Sequence, residues 1–178
     1  RKERGFSPVI YLDNNSTTKP SESAILGMSR ALGKLWGNPS NIHTAGEETH
    51  RAIQLTACSI ARFLGTGDEL SVGFTSGGTE ANRRVIQHIA AACENVAFLE
   101  TEHSSVIKAY SDIGSIKALP LPVHSSGVVD LRELELKLTH DACRAISIQW
   151  ANSETGVIQP IGEILNLCES HGATLHVD

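Results

Sequence analysis

The chain has 178 residues, 40% of them hydrophobic and 20% charged, with a formal net charge of −5. That length is enough for one domain with a real core, and the composition is globular rather than disordered. A negative balance with no basic stripe argues against a nucleic-acid-binding surface, and every apolar run is strand-sized, too short to span a membrane.

Arg1-Lys2-Glu3-Arg4 is basic but leads into no apolar region, so no secretion signal is expected, and the missing initiator Met points to a trimmed or partial chain. Residues 1–44 form an irregular N-terminal segment. They hold Tyr11-Leu12-Asp13-Asn14-Asn15-Ser16-Thr17-Thr18, one helix from about Glu22 to Trp36, and the loop Gly37-Asn38-Pro39-Ser40-Asn41-Ile42-His43. From residue 45 to 178, helices and strands alternate. Thr44-Ala45-Gly46-Glu47 resembles a capping box. It opens a helix with Ile53, Ala57, Ile60, Ala61 and Leu64 at helical spacing and Gly65 as its stop. Val72-Gly73-Phe74 reads as a short strand running into Thr75-Ser76-Gly77-Gly78-Thr79, and a helix follows from Glu80 to Cys93.

Val96 to Leu99 is a buried-strand signal, followed by a helix from about Ser104 to Ile113 and a strand from Ile116 to Leu121 weakened by Pro120. Asp130-Leu131-Arg132-Glu133 is a second capping box, with Leu131, Leu134 and Leu138 on one helical face. Ala145 to Trp150 is a strand, Ile161 to Cys168 marks a helix ending at Gly172, and Thr174 to Val177 is a last strand before Asp178. This order predicts an α/β fold, a mostly parallel sheet with helices on both faces. Such sheets bind ligands at the carboxyl ends of their strands. The polar groups of interest fall there: Ser76 to Thr79, Thr101 to His103, Asn152 and Ser153, and Asp178.

Strand, small polar turn and helix start make a phosphate cradle, because the first helical N–H groups lack partners and the helix dipole favours an anion. Ser76-Gly77-Gly78-Thr79-Glu80-Ala81 lacks the Gly-x-Gly-x-x-Gly of dinucleotide sites and the Gly-Lys-Ser/Thr of nucleoside-triphosphate loops, so a smaller phosphate monoester fits better. Asp178 suits a partner for a cationic ring nitrogen, as pyridoxal phosphate requires, and equally suits a helix cap or a surface charge. His103 is placed to stack on a ring and shuttle protons, although a His at a helix start is more often a cap. Asn152 and Ser153 offer hydrogen bonds to a phenolic oxygen, or form a plain turn. Cys58, Cys93, Cys143 and Cys168 form no Cys-x-x-Cys pair and have no His at zinc-finger spacing. They read as small buried hydrophobes in a reducing compartment, and no metal is expected.

In order along the chain, Tyr11 to Thr18, Gly37 to His43, Phe74 to Glu80, Thr101-Glu102-His103, Ala151 to Gly156 and His176-Val177-Asp178 resemble the cysteine desulfurases of the NifS/IscS type, within the class V aminotransferase family. The resemblance implies the large domain of a fold-type-I pyridoxal-phosphate enzyme over residues 45–178, incomplete here, and a homodimer in the full-length form. It implies that Gly78 and Thr79 bind the cofactor phosphate. His103 would stack on the ring and act in acid–base steps, and Asp178 would pair with the pyridine nitrogen. The second Asn of the family's Asn-Asn-Glu motif is Ser153 here, so either Ser153 or Asn152 would meet the ring oxygen.

The family's Schiff-base lysine lies in a Ser-x-His-Lys stretch beyond the matching His-Val-Asp. None of Lys2, Lys19, Lys34, Lys108, Lys117 and Lys137 matches it, and no Cys here matches the nucleophilic one. The chain is therefore expected to be an N-terminal fragment, inactive alone, of an enzyme that takes sulfur from L-cysteine. The products would be alanine and an enzyme-bound persulfide, passed to an acceptor such as an iron–sulfur scaffold protein. A cytoplasmic location is expected, or a mitochondrial one in a eukaryote. A selenocysteine lyase or aminotransferase of the same family, or a non-catalytic domain that binds a phosphate ligand or a partner chain, is the alternative.

Overall fold

The computed structural model describes residues 10–66, 72–114 and 116–178. Its helices are α1 (Glu22–Lys34), α2 (Thr44–Leu64), α3 (Gly78–Ala92), α4 (Ser104–Ile113), α5 (Leu131–Thr139) and α6 (Ile161–Ser170). Its strands are β1 (Asn95–Leu99), β2 (Lys117–Leu121), β3 (Ala145–Ile148) and β4 (Thr174–Val177). The described residues divide into two compact units: Thr75–Asp178 with the residues preceding Thr18, and Thr18–Phe74.

In the first unit the strands form one sheet in the order β2-β1-β3-β4, with every neighbouring pair parallel. Successive side chains on a strand face opposite ways, and here both faces are apolar. Val96 and Ala145 pack with Ile86 and Ile89 of α3 and Val106, Ala109 and Tyr110 of α4. Their chain neighbours Ala97 and Ile146 pack the other way, against Leu134 and Leu138 of α5 and Ile164 and Cys168 of α6. The sheet is thus covered on both faces, as the alternating order predicts. Pro120 sits in β2, an edge strand, where a missing N–H is tolerated. Asp130 caps α5, its Oδ1 accepting from the N–H of Arg132 at 2.9 Å and of Glu133 at 3.3 Å.

In the second unit, Ser21 caps α1 through an Oγ that accepts from the Ala24 N–H at 3.2 Å. The loop from Gly37 to His43 folds tightly onto the start of α2. A side chain at Gly46 would collide with the Asn41 carbonyl, and Asn38 Oδ1 accepts from the Ser40 N–H at 2.9 Å. Gly65 ends α2 in the left-handed conformation at φ 76°, which suits glycine best.

Two expectations fail here. Thr44 is not the cap of α2: His43 is, its Nδ1 accepting from the Gly46 N–H at 3.2 Å, so the helix begins one residue earlier than a Thr44 box implies. Val72-Gly73-Phe74 is not a strand. None of the four strands pairs with it, and a lone three-residue run with a central glycine has no ladder to hold its backbone groups. No helix among the described residues is long and apolar enough to cross a membrane.

Candidate functional site

The carboxyl ends of β1, β3 and β4 and the start of α3 enclose a cavity of about 730 Å³ within the first unit. This lies beside the point where the chain, having paired β2 on one side of β1, places β3 on the other, the place where doubly wound sheets open a crevice. Gly78, Thr79, His103, Ser153 and Asp178 all line it. These residues span a hundred positions of sequence, and the sheet brings them together. Asn152 is not among the lining residues of this cavity. It lines a neighbouring one of about 410 Å³ together with Thr101, Glu102 and Thr155. Its Nδ2 donates to the Thr101 carbonyl at 3.2 Å and to Gln149 Oε1 at 3.3 Å. Its Oδ1 accepts from the N–H groups of Glu154 at 2.9 Å and Thr155 at 2.8 Å. Asn152 thus builds the turn that presents Ser153.

The start of α3 carries no side-chain cap. The N–H groups of Gly78, Thr79 and Glu80 belong to its first turn and have no intrahelical acceptors. Ser76, in contrast, is committed: its N–H and Oγ both donate to Glu80 Oε2, at 2.8 and 2.7 Å. The Ser76 hydroxyl, then its amide, hold the Glu80 carboxyl below the usual carboxylate range, and Arg84 at 2.7 Å adds to this. The open donors therefore begin at Gly78. A Cβ on Gly77 or Gly78 would meet nothing within 4 Å, so the backbone there faces open space.

His103 caps α4: its Nδ1 accepts from the Ser105 N–H at 3.2 Å and lies 2.7 Å from Ser105 Oγ. A ring nitrogen that accepts carries no hydrogen, so the neutral imidazole bears its proton on Nε2. Asp178 Oδ2 accepts from Asn82 Nδ2 at 2.9 Å. Behind His103, Glu102 is 6% exposed. Its Oε1 accepts from the Gln149 N–H at 2.6 Å, while Oε2 is buried without a partner. Burial pushes the Glu102 carboxyl up to about 8, against the Gln149 hydrogen bond and with the help of the Asp178 charge, which favours its protonated form near neutral pH.

Several lining residues escaped the sequence reading. Asn82 stands one helical turn after Gly78, a spacing that puts both on one face of α3. Ser105, Gln149 and Trp150 also line the cavity, the last two just beyond the end of β3. Asn15, at the far end of the chain, reaches the rim through a 3.0 Å bond from its Nδ2 to the Ala151 carbonyl.

The donor set fits pyridoxal phosphate: uncapped amides for a phosphate, a carboxylate for a ring nitrogen and a flat imidazole lie around one cavity of about 730 Å³. The chain is 37% identical over 175 residues to "Cysteine desulfurase 2" of Trichormus variabilis, covering 96% of this chain and 44% of that protein. It is 31% identical over 174 residues to "Cysteine desulfurase NifS" of Azotobacter vinelandii, covering 95% of this chain and 43% of that one. Among solved structures, a NifS-like protein superposes with a TM-score of 0.84 at 28% identity, over 95% of this chain and 48% of its own. A NifS-like protein from Rickettsia africae gives 0.81 at 30% identity, over 95% of this chain and 47% of its own. The chain thus spans less than half the length of these relatives. The family model described as aminotransferase class-V matches residues 10–178, and the chain belongs to that family.

Proposed function

We propose that this chain is the N-terminal part of a pyridoxal-phosphate-dependent cysteine desulfurase, with residues 45–178 the beginning of its cofactor-binding large domain. The observation that carries this reading is the single cavity that joins the uncapped start of α3 to His103 and Asp178. Gly78 and Thr79 hold the phosphate with backbone amides and the Thr79 hydroxyl. Asp178 would keep a proton on the ring nitrogen of the bound cofactor, and His103, which carries its proton on Nε2, would face the ring and move protons there. Ser153, presented by the Asn152 turn, meets the ring oxygen. When bound, the cofactor supplies an electron sink for the substrate.

Among the described residues no lysine and no cysteine lines the cavity. Within this reading, the lysine that would hold the cofactor aldehyde and the thiol that would receive sulfur are assigned to other parts of the complete protein. The overall reaction balances as L-cysteine plus a thiol giving L-alanine plus a persulfide. A sulfur-accepting protein, such as an iron–sulfur scaffold, then takes the sulfur. The complete protein acts as a homodimer in the cytoplasm, or in the mitochondrion of a eukaryote.

Thr79→Ala in the complete protein tests the phosphate assignment. It removes one hydrogen bond to a charged group and is expected to weaken pyridoxal phosphate binding roughly 10- to 100-fold. Binding of pyridoxal, which lacks the phosphate, should be unchanged. Equilibrium titration followed by cofactor absorbance measures both, and an equal loss for the two ligands would remove Thr79 from the phosphate site.

A further inference from the structure

Asn82 is 4% exposed, and its one amide nitrogen serves two acceptors: Ser105 Oγ at 3.0 Å and Asp178 Oδ2 at 2.9 Å. A carboxylate cannot donate, so the amide must turn its nitrogen, not its oxygen, toward Asp178. Its two N–H bonds are then both committed, one to each partner. Ser105 Oγ, having accepted from Asn82, still owns a hydrogen, and the acceptor within reach is His103 Nδ1 at 2.7 Å. That nitrogen already accepts from the Ser105 N–H at 3.2 Å. Direction therefore runs one way along the chain, from Asn82 through Ser105 to His103.

We propose that Asn82 is a positioning residue that sets the tautomer of His103 and the orientation of the Asp178 carboxylate at once. One N–H fixes the Asp178 carboxylate, which would meet the ring nitrogen of a bound cofactor. The other polarises the Ser105 hydroxyl toward His103 Nδ1 and keeps the imidazole proton on Nε2, the nitrogen free to serve the site. Gln149 lines the same cavity but bonds to Glu102 and Thr101 instead. The roles of His103 and Asp178 rest on the desulfurase reading, whereas the hydrogen-bond direction rests on geometry alone. A purely structural Asn82 would tie α3 to β4 without governing a tautomer.

The test is a double-mutant cycle in the complete, cofactor-free protein labelled with 15N-histidine. The His103 signal is identified by its loss in His103→Gln. Wild type is expected to show Nε2–H as the dominant neutral tautomer. Asn82→Ala and Ser105→Ala should each lower the Nε2–H to Nδ1–H ratio about fivefold, the worth of one neutral hydrogen bond. The double variant should lower it no further, since both changes cut the same relay. If Asn82→Ala does not fold, Asn82→Leu keeps the side-chain volume but offers no donor. It leaves the Ser105 hydroxyl without its hydrogen bond from Asn82 and should give the same fall. An unchanged ratio in the folded Asn82 variant, or additive falls in the double variant, would overturn the proposal. Failure of wild type to bind pyridoxal phosphate would instead defeat the desulfurase reading and leave the tautomer result standing.

Discussion

Asp178→Ala in the complete protein is expected to lower turnover of L-cysteine by about 10²- to 10³-fold, the scale on which one preorganised electrostatic group acts. Asp178 is held on both sides of its backbone. Its N–H donates to the Ile148 carbonyl at 3.1 Å and its own carbonyl accepts from the Trp150 N–H at 2.9 Å, extending the β3–β4 ladder by one step. Asn82 then orients the carboxylate through Oδ2. In the proposed function, a carboxylate fixed this way would stabilise a proton on the ring nitrogen of a bound cofactor, and that proton would let the ring draw electrons from the substrate. Asp178→Asn keeps the shape and loses the charge, so it should fall nearly as far. The loss should appear in kcat rather than KM, because the interaction matters most when charge develops. Steady-state alanine formation measures it. Wild-type turnover in Asp178→Ala would remove Asp178 from the reaction.

Glu102 should make the cofactor-free protein less stable as pH rises. The unfolded carboxyl titrates near 4.5, and burial moves the folded one up to about 8. Between those values the folded state holds a proton that the unfolded state has released, so stability falls with increasing pH. The contribution is complete below about pH 4.5, is lost progressively as the pH rises through the folded value near 8, and is absent above it. The span corresponds to roughly 3–5 kcal/mol. Glu102→Gln removes the titrating group while keeping an oxygen for the Gln149 N–H. The stability difference between wild type and variant should therefore change by that amount between pH 4.5 and pH 8.5. Denaturant midpoints across this range give the measurement, and parallel pH profiles for the two proteins would show that Glu102 is not held protonated.

The sheet and its helices are legible because their signals are local. Val96 to Leu99 is an apolar run and Ala145 to Ile148 is apolar apart from Ser147, and Asp130 precedes its helix as a cap should. The uncapped start of α3 is legible for the same reason: a small polar turn leads directly into it. What the sequence hides is non-local or chemically unusual. A His cap at α2 lies outside the common cap residues, so Thr44 draws the eye instead. The bond from Asn82 to Asp178 joins residues 96 apart, and no local pattern encodes it. Glu102 reads as an ordinary loop acid beside His103, yet packing between the ends of β1 and β3 buries it and strands one of its oxygens. Ser76 looks like part of the anion site until Glu80, one turn later, is seen to take both of its hydrogens.

In the proposed function, this cavity serves pyridoxal-phosphate-dependent removal of sulfur from L-cysteine. The most direct measurement is a single-turnover assay of the complete protein loaded with pyridoxal phosphate and mixed with L-cysteine, quantifying alanine and thiol-bound sulfur together. One alanine is expected for each sulfur atom transferred to a thiol, and no alanine from the cofactor-free protein. Bound cofactor with no alanine formed from L-cysteine would contradict it.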